Sequence, residues 1–221
     1  MRTRTKYCGF VRGRDVDTAV ALGVDAVGFV FYPGSPRFVA VDDALALRRR
    51  LPSYVCAVGL FVNEAPEQVR QASRRIGLDV VQFHGDESPE TCAESVAGET
   101  PWWRAIRMRG PGDLLESEER YKVAEAMLLD AFSSGFGGSG QRFDWSWIPQ
   151  ARSKPVILSG GLDPDTVGDA ILQVRPMAVD VSSGIQGQDP RTKDAARMEA
   201  FMAAVIAADA QLSPTGHGPD R

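Results

Sequence analysis

Short apolar runs alternating with helix-patterned stretches, eight times over, constrain this chain more than any other feature. The strand-like runs are Thr5 to Cys8, Ala26 to Phe31, Cys56 to Val62, Val80 to Phe83, Trp103 to Ile106, Ala126 to Leu129, Pro155 to Leu158 and Ala178 to Val181. Several are apolar at nearly every position, as in Val27-Gly28-Phe29-Val30-Phe31, which is how strands buried on both faces read. Repetition of this kind predicts an α/β fold with a parallel sheet, and eight repeats predict a closed (β/α)8 barrel, the TIM-barrel architecture.

The helical stretches are unequal. Arg14 to Leu22 and Glu64 to Ile76 each run into a glycine, Gly23 and Gly77, as a stop. Asp163-Pro164 reads as an N-cap followed by proline at the first position of a helix reaching Val174. Thr192 to Ala208 carries Met198, Phe201, Met202, Val205 and Ile206 on one stripe. By contrast, Asp113 to Val123 is heavily charged and Asp144 to Ile148 is barely one turn, so the fifth and sixth helical layers are expected to be irregular or short. No linker interrupts the alternation. Residues 1–210 are therefore expected to form one barrel domain, with residues 1–3 frayed and 211–221 a disordered, Pro/Gly-rich tail.

Composition removes several function classes. A 43% hydrophobic content over 221 residues can build a core without disulfide staples. The net charge of -4 argues against a nucleic-acid partner, and the Arg48-Arg49-Arg50 triplet ends a helical stretch, where cations complement the helix dipole. No apolar run approaches the roughly 18 to 20 residues that span a bilayer, so no membrane partner is expected. The basic N-terminus lacks the apolar segment of a signal peptide. Three scattered cysteines without C-x-x-C spacing exclude a zinc ribbon, and their odd number fits a reducing compartment, so a cytoplasmic location is expected. No cluster has metal-ligand spacing, and no metal is expected.

In a parallel barrel the strand C-termini converge on one rim, where chemistry sits. Cys8 ends the first strand and Asp130 follows the sixth, so a thiol and a carboxyl on one rim are candidates for an acid/base pair. Free thiols titrate near ~8.5, and a thiol base needs a cationic or donor-rich setting. Lys6, on the same strand face, is the candidate neighbour. Ser159-Gly160-Gly161-Leu162 and Val181-Ser182-Ser183-Gly184 follow the seventh and eighth strands, where barrels often bind phosphate. Gly160, Gly161, Ser182, Ser183 and Gly184 are the candidate phosphate residues. The chemistry points to a phosphorylated sugar.

The stretch Gly135 to Gly140 contains G-x-G-x-x-G, yet it opens no long helix and lacks the acidic residue of a dinucleotide site. It reads instead as a loop, with Gly137, Gly138 and Gly140, able to close over a substrate. Arg37, held between turn residues after the second strand, suits bidentate binding of a carboxylate. His84 is the only histidine outside the tail and a candidate for lining the substrate pocket.

Taken together, these runs resemble the phosphoribosylanthranilate isomerases of tryptophan biosynthesis. The resemblance rests on Lys6-Tyr7-Cys8-Gly9, Gly28 to Phe31 with Ser35-Pro36-Arg37, Val81 to Glu87, and Leu129-Asp130. It continues through Gly137 to Gly140 with Phe143-Asp144-Trp145, Leu158 to Leu162, and Val179 to Gly184 with Lys193-Asp194. It implies an Amadori rearrangement in which Asp130 is the general acid that opens the furanose ring and Cys8 the general base that removes the C2' proton. It further implies that Arg37 holds the anthranilate carboxylate, that the last two turns hold the phosphate, and that no redox cofactor or metal takes part. Three features depart from the family pattern: Tyr7, Ser139, and the segment Gln186 to Arg191. The alternatives are a related phosphosugar barrel enzyme or a non-catalytic phosphate-binding barrel. Among the former, the histidine-pathway aminoaldose isomerase would place aspartate where Cys8 stands. Nothing in the sequence distinguishes a monomer from a homodimer.

Overall fold

The computed structural model describes residues 2–131 and 142–212. Its strands are β1 (Arg4–Cys8), β2 (Ala26–Val30), β3 (Cys56–Phe61), β4 (Val80–Phe83), β5 (Trp102–Met108), β6 (Ala126–Ala131), β7 (Val156–Leu158) and β8 (Ala178–Val181). All neighbours pair in parallel, and β8 returns to β1 through Arg4↔Ala178 and Lys6↔Asp180, closing a barrel. The TIM-barrel expectation holds.

Alternation along each strand sorts side chains into two cores. One set faces outward: Tyr7, Phe29, Phe61, Val81, Phe83, Met127 and Leu129 pack under the helices. Tyr7 donates from its hydroxyl to the Met198 carbonyl at 2.7 Å and meets Phe201 edge-on, so its side chain packs outside the barrel. The other set fills the interior. Its floor is apolar, with Ala26, Val58, Val80, Leu128, Ile157 and Ala178. Two residues further along β4, β6 and β8 the buried interior turns polar, with Gln82, Asp130 and Asp180, and the buried Lys6 of β1 joins them through Asp180. A polar tier above an apolar floor places the chemistry at the C-terminal mouth.

The helices are α1 (Gly13–Ala21), α2 (Val41–Arg48), α3 (Pro66–Ile76), α4 (Pro89–Val96), α5 (Asp113–Arg120), α6 (Val167–Val174) and α7 (Ala195–Leu212). Gly77 stops α3 in the left-handed conformation, φ 72°. The fifth helix is two turns long, and between β6 and β7 the described residues form only a 3-10 turn, Trp145–Trp147.

Three expectations need correction. Asp163 is not the N-cap of α6, which begins at Val167. Its Oδ1 instead accepts from the Asp165 and Thr166 amides and the Thr166 hydroxyl, folding a tight turn ahead of the helix. Residues 2 and 3 are not frayed: Arg2 pairs with Asp25, and Thr3 donates its amide and hydroxyl to the Asp209 carboxylate at 2.7 and 2.6 Å. That same anchor helps extend α7 to Leu212, past the expected end of the domain at residue 210. The rest of the anticipated tail, 213–221, lies outside the described residues, as do Gly137, Gly138 and Gly140. Among the described residues no helix is long and apolar enough to cross a membrane.

Candidate active site

The mouth of the barrel encloses a cavity of about 290 Å³, lined by Cys8, Arg37, His84, Asp130, Gly160, Gly161, Ser182 and Ser183 among others. Residues picked from six separate runs of sequence thus share one wall. Gly184 does not line it. It packs behind, where an added Cβ would fall 2.1 Å from the Leu162 carbonyl oxygen.

Cys8 reaches the interior because Gly28, its register partner on β2, has no side chain: a Cβ there would sit 2.7 Å from Sγ. Below Cys8, the Lys6 Nζ donates to Asp180 Oδ1 at 2.8 Å, with both side chains buried. Burial alone would lower the Lys6 pKa, but the fields of Asp180 and of Cys8 outweigh it and push it up. The second oxygen of Asp180 accepts from the Ser159 hydroxyl at 3.2 Å. Above, the Ser182 hydroxyl donates to the Cys8 carbonyl at 3.0 Å, and Lys193 Nζ donates to the Ser182 carbonyl at 3.0 Å. Two lysine amino groups therefore stand on the Cys8 side of the cavity.

Lys193 has a different environment from Lys6. No carboxylate pairs with it among the described residues, and burial drives its pKa down to about 7, against smaller opposing contributions of which Cys8 is the largest. A depressed folded pKa means that the unfolded chain binds the extra proton between about 7 and the ordinary lysine value, so stability attributable to this group rises with pH across that window. Measured by urea denaturation, the difference between wild type and Lys193→Met is expected to shift in favour of wild type from pH 7 to pH 10. A difference independent of pH would show that the buried amine does not titrate there.

Asp130 ends the interior face of β6. Its Oδ1 accepts from the Ala131 amide at 2.8 Å, and its Oδ2 lies 3.3 Å from His84 Nε2, out of line for a hydrogen bond. Gly160 adopts φ 82°, and a Cβ there would meet the Ala131 amide nitrogen at 2.5 Å, so glycine lets the turn after β7 close onto Asp130. His84 Nδ1 lies 2.9 Å from Gln82 Nε2. Its loop is anchored by Glu87, which accepts from the Gly85 and Asn63 amides and from Arg104 Nη1 at 2.7 Å. His84 therefore stands beside Asp130 as well as lining the cavity, a placement that its sequence context did not reveal.

Arg37 lies on the loop after β2, only 8% exposed, and its Nη2 donates to Gln186 Oε1 at 2.5 Å. Burial lowers its pKa, opposed by the field of Cys8. Sequence reasoning did not single out Gln82, Tyr32 or Asp180 as site residues. Strand parity is the signal that finds them: Gln82 precedes His84 by two, Tyr32 follows the interior Val30 by two, and Asp180 follows the interior Ala178. Among the described residues no three His, Cys, Asp or Glu side chains converge as a metal set.

Comparison with known proteins places this geometry. A family model described as N-(5'phosphoribosyl)anthranilate (PRA) isomerase matches residues 5–204. The N-(5'-phosphoribosyl)anthranilate isomerase of Dechloromonas aromatica is 49% identical over 212 residues, covering 96% of this chain and 100% of the relative. The crystal structure of phosphoribosyl anthranilate isomerase from Thermotoga maritima aligns with a TM-score of 0.85 at 38% identity, over 93% of this chain and 99% of that one. A phosphoribosyl anthranilate isomerase in complex with reduced 1-(o-carboxyphenylamino)-1-deoxyribulose 5-phosphate aligns at 0.82 and 36% identity, with the same coverage. With the family model spanning nearly the whole barrel, and near half of all positions shared with a full-length relative, this chain belongs to the N-(5'-phosphoribosyl)anthranilate isomerase family.

Proposed function

We propose that this barrel carries out its family's reaction with Asp130 as general acid and Cys8 as general base. The reaction converts N-(5'-phosphoribosyl)anthranilate to 1-(2-carboxyphenylamino)-1-deoxyribulose 5-phosphate, an isomerase step of tryptophan biosynthesis. The observation that carries the assignment of roles is the presence of both side chains on one cavity wall, at the ends of β1 and β6, with the two glycine-serine turns beside them. Asp130 delivers a proton to the furanose ring oxygen, and the C1'–O bond breaks to leave an open-chain Schiff base. Cys8 then takes the proton from C2', and its electron pair moves to form the enolamine. Tautomerisation places a proton on C1' and leaves the ketone at C2'. No net oxidation occurs, because the atoms of substrate and product are the same.

The remaining residues bind. Gly160, Gly161, Ser182 and Ser183 frame the phosphate, with Gly184 supporting the last turn from behind. Arg37 takes the anthranilate carboxylate, and His84 flanks the reacting sugar beside Asp130. The ligand seen in the solved relative, a reduced product with one phosphate and one aryl carboxylate, supports this division.

The decisive experiment supplies N-(5'-phosphoribosyl)anthranilate generated in situ to purified protein and follows loss of its fluorescence. Protein-dependent decay with accumulation of the aminoketose is expected. A folded protein that leaves the compound untouched would overturn the reading, and the histidine-pathway aminoaldose would become the next substrate to try. In the same assay Arg37→Ala is expected to raise KM by roughly 10- to 100-fold, the size of a lost charge-assisted pair, with kcat much less affected. An unchanged KM would remove Arg37 from the carboxylate site.

A further inference from the structure

Arg37 is held in an unusual way for a buried cation. Among the described residues it has no carboxylate partner, and its Nε is buried without any hydrogen-bond partner. Among the described residues, the one side-chain hydrogen bond on the guanidinium is from Nη2 to Gln186 Oε1, a neutral acceptor. Gln186 is itself pinned. It forms an antiparallel bridge with Lys193, its amide donates to the Ser183 carbonyl at 3.1 Å, and the adjacent Gly187 amide donates to the Thr192 carbonyl at 2.9 Å. From the same hairpin, Arg191 Nη1 reaches the Pro36 and Phe38 carbonyls, one on each side of Arg37, at 3.3 Å each. The segment from 186 to 193 thus grips both the backbone and the side chain of the Arg37 loop.

Resting on the function proposed above, we infer that Gln186 is a positioning residue that sets affinity for the aryl carboxylate of the substrate. It orients the guanidinium toward the cavity through an oxygen dipole and leaves its full charge for the ligand. A neutral clamp matters because the partner it leaves room for is an anion. A carboxylate in the place of Gln186 would satisfy the guanidinium internally, and the substrate would have to displace one carboxylate with another. An apolar side chain there would keep the charge free but release the orientation.

The test compares wild type with Gln186→Glu and Gln186→Met on two ligands. KM for N-(5'-phosphoribosyl)anthranilate reads the carboxylate end, and competitive inhibition by ribose 5-phosphate, which has the phosphate and no aryl carboxylate, reads the other. Gln186→Glu is expected to raise KM by roughly 10- to 100-fold. Its kcat and its ribose 5-phosphate inhibition constant should each stay within about twofold. Gln186→Met is expected to raise KM by clearly less, because the charge on Arg37 survives. The inference is overturned if Gln186→Glu leaves KM unchanged, if both variants raise it equally, or if inhibition by ribose 5-phosphate weakens in parallel, which would mark a general loosening of the phosphate rim. Failure of the wild type to turn over this substrate would instead overturn the functional reading, and the clamp with it.

Discussion

Asp130→Asn is expected to lower kcat by about 10²- to 10⁴-fold while leaving the barrel folded, and Cys8→Ser to do the same, the usual range for loss of a general acid or base. The asparagine keeps the shape of the carboxyl and can still face the Ala131 amide and His84, but it has no acidic proton to give the ring oxygen. Serine keeps the position beside Gly28 and exchanges the thiol for a far less acidic hydroxyl, so C2' loses its proton acceptor. Because the two groups act on successive steps at one substrate, the double variant should cost much less than the product of the two single losses. Single-turnover fluorescence, with circular dichroism as the control for folding, measures this directly. Turnover within threefold of wild type in either variant would remove that residue from the mechanism.

The second large effect concerns stability. Lys6→Met leaves the Asp180 carboxylate buried with only the Ser159 hydroxyl on its other oxygen. Removing one partner of a buried ion pair costs about 3–5 kcal/mol, a large part of the ~5–15 kcal/mol that holds a typical domain together. Lys6 is 2% exposed and Asp180 about 7%, so solvent cannot replace the lost ammonium. The double variant Lys6→Met with Asp180→Leu should recover much of the loss, since no charge is then left unpaired. Urea denaturation of the three variants gives the coupling energy. The pair is structurally idle if Lys6→Met lies within about 1 kcal/mol of wild type. The sign with pH follows from the raised Lys6 pKa: its contribution is in place through the neutral range, begins to fall above the ordinary lysine value, and is gone once pH passes the raised folded value.

These two effects meet in one design. Interior positions on β1 alternate with outward ones, so Lys6 and Cys8 share the barrel interior while Tyr7 anchors the strand to α7. The ion pair fixes the floor of the polar tier, and the thiol stands directly above it. A mutation at Lys6 is therefore expected to disturb both measurements, whereas one at Cys8 should disturb only catalysis.

Strand order, the closed barrel and the gathering of Cys8, Asp130 and the two terminal turns were legible because they depend on local signals. Apolar runs specify strands buried on both faces, glycine punctuates the helices, and parallel connection then carries every strand end to one rim. The start of α6 was misread because Asp163 offers its carboxylate to two amides within the turn, a competition that composition alone does not resolve. Residues 2 and 3 were misread because their partners, Asp25 and Asp209, lie far along the chain.

Period and residue type are local properties, and they suffice for the architecture and for the chemical types at the strand ends. Which of those side chains touch is set by the folded barrel. His84 stands 3.3 Å from Asp130, Lys6 is neutralised by Asp180, Lys193 is not neutralised by any described carboxylate, and Gln186 holds Arg37 from 149 positions away. Each of these depends on strand register around a closed barrel, where a shift of one residue would exchange the interior and exterior faces, and no local signal carries that information across the chain.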